Sequence, residues 1–502
     1  MEDKVVLASK QNLKGSQMIV DCRFLASSGN EIGKVLSVSA TPFVSNIDTY
    51  PSTVKYSGKV NFKLIYLTED GRIISVNNMS DFDETVDVES MGDDAFAQVN
   101  FKVVDVTTPS VKTNEVKVAC VMESVVSIET KNAFEGVQPN EGVFCKKKAF
   151  DNYELCSHFK EAFELEEEIR INDDLEQVLT LDCELCVKEV FAGNGFIVVS
   201  GEVFCVVAYT SENCVFKTYK QAIDFKQEIE SQDATTDSKV NVNLNLQHNL
   251  IKMSVIQEDG YNTVRVELPI MACGSVYNKV NMEVVEDVYS ENELLEVETV
   301  DLNTLEQVYS VTFEDFVREI VPIGEVQGAK LLGFSGANVV VSSSYFEDDK
   351  LTVEGVVSGT AIFDLDSQIN SIIAEVPFVV SSTKSECRDL DNLEVVCGLC
   401  DFDLSLKNDS EMELSAKLGF FVTGTKHKSV KGVLAVTPTT KRSERDCSIE
   451  IVVTSKESSL WDLGKTLGVS AEQLLIQNPN LVEPIKEGEK VVVYYPKNVN
   501  IG

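Results

Sequence analysis

The stretch "YSGKVNFKLIYLTEDGRIISV", residues 56–76, alternates apolar and polar side chains on both sides of a polar turn. Its first half places Val60, Phe62 and Leu64 at every second position, and this spacing puts them on one face of a β-strand. The turn at 68–71 is polar and ends in glycine, and a second apolar run follows it. The segment therefore predicts a β-hairpin with one buried face.

The same hairpin pattern recurs twice further along the chain. The related segments are "VSGEVFCVVAYTSENCVFKTY" at 199–219 and "VEGVVSGTAIFDLDSQINSII" at 353–373. We align them on Gly58, Gly201 and Gly355. The eighth residue after each aligned glycine is aromatic, namely Tyr66, Tyr209 and Phe363. Similar alternating runs precede and follow each hairpin, so one unit of roughly 150 residues occurs three times.

This repeat predicts a mainly β chain that contains three β-sandwich-like domains. We place these domains at 18–130, 165–285 and 318–435. The polar segments between them, 132–168 and 285–320, each predict a short helix. The segment 436–446 contains proline and clustered charge, and we interpret it as a linker.

The stretch "SSLWDLGKTLGVSAEQLLIQNPN", residues 458–480, departs from the β pattern and contains the only tryptophan of the chain. Ser459 can cap a first helix, whose leucines recur at helical spacing. Gly468 is placed to end that helix, and Ser470 to begin a second one. Alternating runs on both sides predict strands. The segment 447–497 therefore predicts a small domain with the order βααβ.

The segment 447–497 resembles a LysM domain. The residues that carry the resemblance are Leu460, Trp461, Leu463, Gly468, Val469, Leu474, Leu475, Asn478, Pro479, Asn480 and Gly488. In LysM domains the ligand groove lies between the loop before the first helix and the loop after the second, here 456–460 and 476–481. The resemblance implies a partner-binding or glycan-binding site made of Glu457, Ser459, Leu460, Trp461, Ile476, Asn478, Asn480 and Leu481.

The first of these loops differs from the family pattern. LysM domains usually have a Gly-Asp-Thr turn before the first helix, and this chain has Glu457-Ser458-Ser459 instead. A side chain and a charge at Glu457 hinder the close approach of a sugar backbone, so we expect the groove to bind a protein. Trp461 has two interpretations: its ring covers the edge of the small core, or it contacts the partner.

Several β domains with the pattern Val35-Leu36-x-Val38, then Gly58-x-Val60 and Tyr66, precede this C-terminal segment. The combination resembles clostridial spore-coat morphogenetic proteins of the SipL type, whose repeated domain is called SPOCS. The resemblance implies a non-enzymatic adaptor or scaffold in spore coat assembly, whose LysM domain binds a coat-morphogenetic ATPase. The alternative is a peptidoglycan-binding or cortex-binding LysM protein with the β domains as spacers.

The composition limits the partners and the compartment. The formal net charge is −37, which disfavours binding to nucleic acid and to anionic lipid. No apolar stretch approaches the ~20 residues that a membrane-spanning helix needs. The first residues show no apolar run typical of a signal peptide. We therefore expect a cytoplasmic protein, on the mother-cell side at the forespore surface.

The residues that usually carry chemistry are sparse. The three histidines do not lie in any nucleophile motif, and no phosphate-binding loop is present, so we expect no catalytic residues and no cofactor. Two C-x-x-C pairs, Cys183/Cys186 and Cys397/Cys400, lie in different repeat units. Because an i, i+3 spacing on a strand points two thiols to opposite faces, we expect neither a zinc site nor a disulfide between the pairs.

Overall fold

The computed structural model describes residues 4–89, 91, 94–137, 142–212, 214–258, 261–324, 327–347, 350–382, 390–442 and 448–495. These residues fold almost entirely into antiparallel β-strands, with two short helices close to the C-terminus. The prediction of a mainly β chain is therefore confirmed. Within the described ranges, no helix is both long enough and apolar enough to cross a membrane.

The first β unit is a sandwich of two three-stranded sheets. Its strands are β1 (Lys4–Leu25), β2 (Ile32–Tyr50), β3 (Thr53–Thr68), β4 (Ile73–Asp87), β5 (Phe96–Lys112) and β6 (Glu115–Glu135). One sheet has the order β2-β3-β4 and the other the order β1-β6-β5. Val60, Phe62 and Leu64 of β3 pack against Val118 and Met122 of β6, and all five side chains are fully buried.

The second and third units repeat this arrangement. The second unit contains β7 (Val143–Ile171), β8 (Gln177–Gly193), β9 (Phe196–Thr210), β10 (Phe216–Glu230), β11 (Lys239–Leu246), β12 (Lys252–Glu258) and β13 (Tyr261–Ser290). The third contains β14 (Glu293–Pro322), β15 (Lys330–Glu347), β16 (Lys350–Leu365), β17 (Gln368–Ser382), β18 (Asn392–Asn408) and β19 (Glu411–Lys441). In each unit the first strand pairs with the last, and the central strand of the other sheet carries the aligned glycine.

A glycine–phenylalanine pair recurs in the three-stranded meander of each unit. Gly58 lies opposite Phe82, Gly201 opposite Phe225, and Gly355 opposite Phe378. A Cβ atom at these glycines would lie only 2.6, 2.9 and 2.5 Å from the Cζ atom of the paired ring. The ring therefore covers the glycine closely, and no larger residue fits beneath it. Each glycine also pairs with a residue of the neighbouring strand on its other side, and that residue directly precedes a β-bulge.

A second bulge in each unit directs a leucine out of its own sandwich. Leu36, Leu179 and Leu332 are the extra residues at register shifts in β2, β8 and β15. These three leucines meet in one hydrophobic cluster between the units. Apart from Leu67, the other members of the cluster are also sets of equivalent positions, namely Ile65, Ala208 and Ile362, and Ile73, Phe216 and Ile369. The three units therefore pack around one approximate three-fold axis.

The two predicted connecting helices are wrong. The segment 132–168 contains the end of β6 and most of β7, and the segment 285–320 contains the end of β13 and most of β14. The glutamate-rich run in β7 suggested a helix, but its apolar residues Leu165, Ile169 and Ile171 alternate as in a strand. Strand pairing along the whole of β13 overrides local helix propensity here.

The predicted linker at 436–446 is also partly strand. β19 continues through Lys441, and Pro438 pairs with Leu295 at the edge of the ladder. Residues 443–447 lie outside the described residues.

The C-terminal unit has the order βααβ. Its elements are β20 (Ile449–Val453), α1 (Leu460–Leu467), α2 (Ala471–Gln477) and β21 (Lys490–Tyr494), and β20 pairs with β21. One face of this two-stranded sheet is covered by the helices. Leu463, Leu474, Ile485 and Val491 form the centre of the small core. The predicted element order is therefore confirmed, whereas the LysM assignment stays a prediction.

We predict that Phe378→Ala destabilises the third unit by about 3–5 kcal/mol, since it removes a buried ring that covers Gly355. The matched control is Phe316→Ala in the same unit, where the ring is 71 % exposed. We expect that change to stay within about 0.5 kcal/mol. Urea denaturation followed by circular dichroism measures both. Equal effects of the two substitutions would contradict a structural role for the glycine–phenylalanine pair.

Candidate functional site

The two short helices of the C-terminal unit are fixed by the caps that the sequence predicts. The Ser459 hydroxyl accepts a hydrogen bond from the Asp462 amide at 3.1 Å, and the Ser470 hydroxyl accepts one from Gln473 at 3.0 Å. Gly468 ends α1 in the left-handed conformation, with φ of 64°. A residue with a Cβ is disfavoured there. Ser459, one of the predicted site residues, is therefore a helix cap.

The loop before α1 runs beside the loop that follows α2. Ser458 and Ile485 exchange backbone hydrogen bonds of 3.0 and 2.9 Å. The Leu460 amide donates to the Glu483 carboxylate at 2.6 Å. The hydrogen bonds of the first predicted loop therefore go to residues 483–485, just beyond the second predicted loop at 476–481. This bond places Glu483 beside the first loop.

Two predicted site residues have structural roles. The Asn478 side-chain amide donates to Leu474 O at 2.9 Å and to Val492 O at 2.8 Å, and its oxygen accepts from Val492 N at 2.8 Å. These bonds tie the end of α2 to β21. Leu481 is only 8 % exposed and belongs to the small core. This burial corrects the expectation that the Leu481 side chain faces a ligand.

Trp461 contacts the second β unit. Its indole N–H donates to Asp287 Oδ2 at 2.8 Å, and its ring packs edge-on against Tyr289 with 4.7 Å between the ring centroids. The Tyr289 hydroxyl donates to Val469 O at 2.9 Å. Neither interpretation offered by the sequence describes this position, because the ring joins the C-terminal unit to β13. No local signal in β13 marks Asp287 or Tyr289 as partners of a tryptophan.

The charge of Asp287 holds this contact. The Lys465 ammonium lies 2.6 Å from Asp287 Oδ1, and the Trp461 N–H binds the other oxygen. Burial alone would raise the pKa of Asp287, but the hydrogen bonds from Lys465 and Trp461 outweigh it, and the pKa is lowered. The contact therefore stabilises the docked unit above the unfolded pKa of aspartate and is lost as the pH falls through the lower folded value.

Several apolar side chains of the C-terminal unit remain exposed. Ile476 and Val482 are each 71 % exposed at the loop surface, where Glu457 and Asn480 are also exposed. Val482 was not among the predicted site residues. A separate apolar strip, made of Ile449, Ile451 and Val453, lies on the sheet face that the helices do not cover. The unit thus has two exposed apolar surfaces.

A serine, a histidine and a carboxylate also meet, far from this unit. His158 Nδ1 lies 3.0 Å from Ser275 Oγ, and the Ser275 hydroxyl donates to Glu129. His158 Nε2 is buried and has no hydrogen-bond partner among the described residues, so none of their carboxylates orients the ring from its far side. Glu129 also lies 3.8 Å from the buried Lys10 ammonium. Here the serine lies between the histidine and the carboxylate. In a catalytic triad the histidine lies between the nucleophilic serine and the carboxylate, so these contacts do not form a triad.

Two parts of the chain match a known protein family. Residues 31–111 and 174–254 match the family described as SipL, SPOCS domain. The first match covers β2 to β5 and the second covers β8 to β11, so the two fall on equivalent parts of the first and second units. No curated protein and no solved structure matches the chain. The matches support the predicted relationship to SipL-type proteins and to sporulation.

We predict that Asp287→Ala releases the C-terminal unit from β13. The emission of Trp461, the only tryptophan, should shift to the red because its ring loses Asp287 and becomes more exposed to water. The native chain should show the same shift in acid, as the pH falls through the lowered folded pKa of Asp287. Asp301→Ala, at an exposed position of β14, serves as the control and should leave the emission unchanged. Unaltered emission of the Asp287 variant would show that this contact does not hold the unit.

Proposed function

We propose, starting from the two SPOCS-domain matches, that the chain is a non-enzymatic adaptor or scaffold in spore coat assembly. In this proposal it acts in the cytoplasm of the mother cell, at the forespore surface. Its C-terminal unit is a LysM domain that binds a coat-morphogenetic protein, and the resemblance to SipL-type proteins suggests a coat-morphogenetic ATPase as that partner. The three β units form the scaffold that carries it.

The third β unit belongs to the same proposal, although the two family matches lie in the first and second units. It has the same glycine–phenylalanine pair and the same two bulges as the matched units, and the leucine at its second bulge also packs outside its own sandwich. Such a set of long-range features supports a third SPOCS-like domain, because a chance β-sandwich has no reason to place them at equivalent positions.

The observation that carries partner binding is the exposure of Ile476 and Val482. Ile476 lies in the last turn of α2 and Val482 in the loop that follows, which pairs with the loop before α1 through Ile485, and both side chains are 71 % exposed. The exposed carboxylates Glu457 and Glu483 lie in the same loops. An apolar centre with a charged rim is typical of a specific protein interface. The acidic rim favours a partner whose facing surface is basic.

The positions of Trp461 and Asn478 also favour a protein over a glycan. Aromatic rings and amide side chains are the groups that commonly contact sugars in a groove. Here the Trp461 ring packs on Tyr289, and the Asn478 amide bonds to the backbone of α2 and β21. Peptidoglycan remains the second candidate ligand, because the resemblance to LysM domains implies a groove between the loops on either side of the two helices.

We predict that Ile476→Arg in the full chain weakens binding to the coat-morphogenetic partner by about 30-fold or more, since a central apolar contact typically contributes ~2 kcal/mol. The matched control is Ile451→Arg, which places the same charge at a 64 % exposed isoleucine on the outer sheet face. This variant should bind normally. Calorimetry with the purified partner measures both affinities, and circular dichroism checks that both variants are folded.

Two results would argue against this proposal. If Ile451→Arg abolishes binding and Ile476→Arg does not, the partner uses the outer sheet face instead of the loop surface. If the full chain binds purified peptidoglycan saturably and Ile476→Arg removes that binding, while no coat protein binds, the groove is a glycan site.

A further inference from the structure

Two cysteines from different β units touch in the interior of the molecule. Cys186 lies on β8 and Cys400 on β18, and their sulfur atoms are 2.7 Å apart. Both side chains are buried, with 2 % and 5 % exposed. Each thiol belongs to a different C-x-x-C pair, and the sequence predicted no disulfide between these pairs.

The strand geometry explains which thiols meet. Cys183 and Cys186 point to opposite faces of β8, as their spacing predicts. Cys183 faces the core of its own unit, where its sulfur lies 3.2 Å from that of Cys205. Cys186 faces outward, and that face packs against β18 of the third unit. Of the Cys183/Cys186 pair, only Cys186 therefore reaches across the boundary between units.

We propose that Cys186 and Cys400 form a reversible disulfide that locks the second unit to the third when the protein meets an oxidant. The sulfur separation of 2.7 Å is nearer to an S–S bond than to a shared zinc ion. A disulfide bond is about 2.05 Å long. Two thiolates on one tetrahedral zinc, at about 2.3 Å from the metal, lie about 3.8 Å apart.

Two glycines leave the space that the sulfurs occupy. Gly398 and Gly419 face each other on β18 and β19. A Cβ atom at Gly419 would lie 2.8 Å from the Cys400 sulfur and 3.2 Å from the Cys186 sulfur. A Cβ atom at Gly398 would lie 3.1 Å from the Cys186 sulfur. The pocket around the pair is therefore shaped by the backbone of the third unit, which holds the two sulfurs together.

The surrounding charges favour a disulfide over a metal site. Glu202 could supply a third ligand, since its carboxylate lies within 4.8 Å of both sulfurs. Its carboxylate is already paired with the Lys188 ammonium at 2.7 Å. A divalent cation would have to displace this lysine and lie close to its charge. A neutral disulfide needs no such rearrangement.

The oxidation is a two-electron step with hydrogen peroxide as the oxidant. One cysteine, as thiolate, attacks a peroxide oxygen and becomes a sulfenic acid, and the other peroxide oxygen leaves as water after taking up a proton. The second cysteine then attacks the sulfenic sulfur, the S–S bond forms, and the sulfenic oxygen leaves as a second water. The hydrogen bond to Cys400 and burial both raise the pKa of Cys186, so the step is slow at neutral pH and faster in alkali.

The test uses the full chain with Cys214→Ser, because Cys214 is exposed and could link two molecules. After peroxide treatment and blocking of free thiols, peptide mapping should find Cys186 joined to Cys400. The bond closes a sequence separation of 214 residues. The thermal midpoint should therefore rise by about 5–10 °C and fall again on reduction. Both measurements are made with Cys186 and Cys400 intact, so neither depends on a substitution in the buried pair.

Matched variants assign the shift to this pair. Cys400→Ser should abolish the rise in thermal midpoint. Cys183→Ser also removes a buried thiol, but the sulfur of Cys183 lies next to that of Cys205, so this variant should retain the rise. Full blocking of both Cys186 and Cys400 by the thiol reagent after oxidation and denaturation would overturn the proposal. Stoichiometric zinc that protects both thiols from peroxide would also overturn it.

Discussion

The packing of the three β units on one another, to which the cluster of bulged leucines contributes, is the constraint on which the rest of the molecule depends. Each β unit could bury its own core alone, but Leu36, Leu179 and Leu332 leave their sandwiches and pack together. Leu36 and Leu179 are buried there and Leu332 is partly buried, and full burial of a leucine side chain contributes about 1.5–3 kcal/mol. A β-bulge is what permits this, since one extra residue reverses the direction of the side chain. The unit therefore has two apolar surfaces, one inside the sandwich and one facing its neighbours.

This packing determines where the C-terminal unit lies. Since β13 and β14 are consecutive long strands, the position of Asp287 and Tyr289 is fixed by the ladders of the second and third units. Trp461 and Lys465 dock on that position. The exposed Ile476 is thereby presented from a defined place on the scaffold. A flexible linker alone would not give the binding surface a fixed orientation relative to the β units.

The sequence predicts what is local and misses what is long-range. The hairpins at Gly58, Gly201 and Gly355 and the caps at Ser459 and Ser470 follow from alternation and capping chemistry, and the structure has them. The phenylalanines that cover the glycines follow them by 24, 24 and 23 positions, a recurrence that an alignment of the full meanders could reveal.

Other features depend on partners that no local pattern marks. The glutamate-rich strand β7 depends on pairing with β13, more than a hundred residues away for most of its length. The contact of Trp461 with Asp287 and that of Cys186 with Cys400 depend on how the units pack. Of the predicted site, Ile476, Asn480 and Glu457 are exposed, whereas Leu481 is buried, because its position in a loop does not reveal on which side the small core lies.

Small-angle X-ray scattering of the native chain and of a Leu36→Ser, Leu179→Ser, Leu332→Ser variant tests the packing most directly. A compact chain of 502 residues has a radius of gyration of roughly 23 Å. The account predicts a native value close to this compact figure and a clear increase in the variant, with the β circular dichroism retained. A native chain with the extended scattering of separate beads, unchanged in the variant, would contradict it.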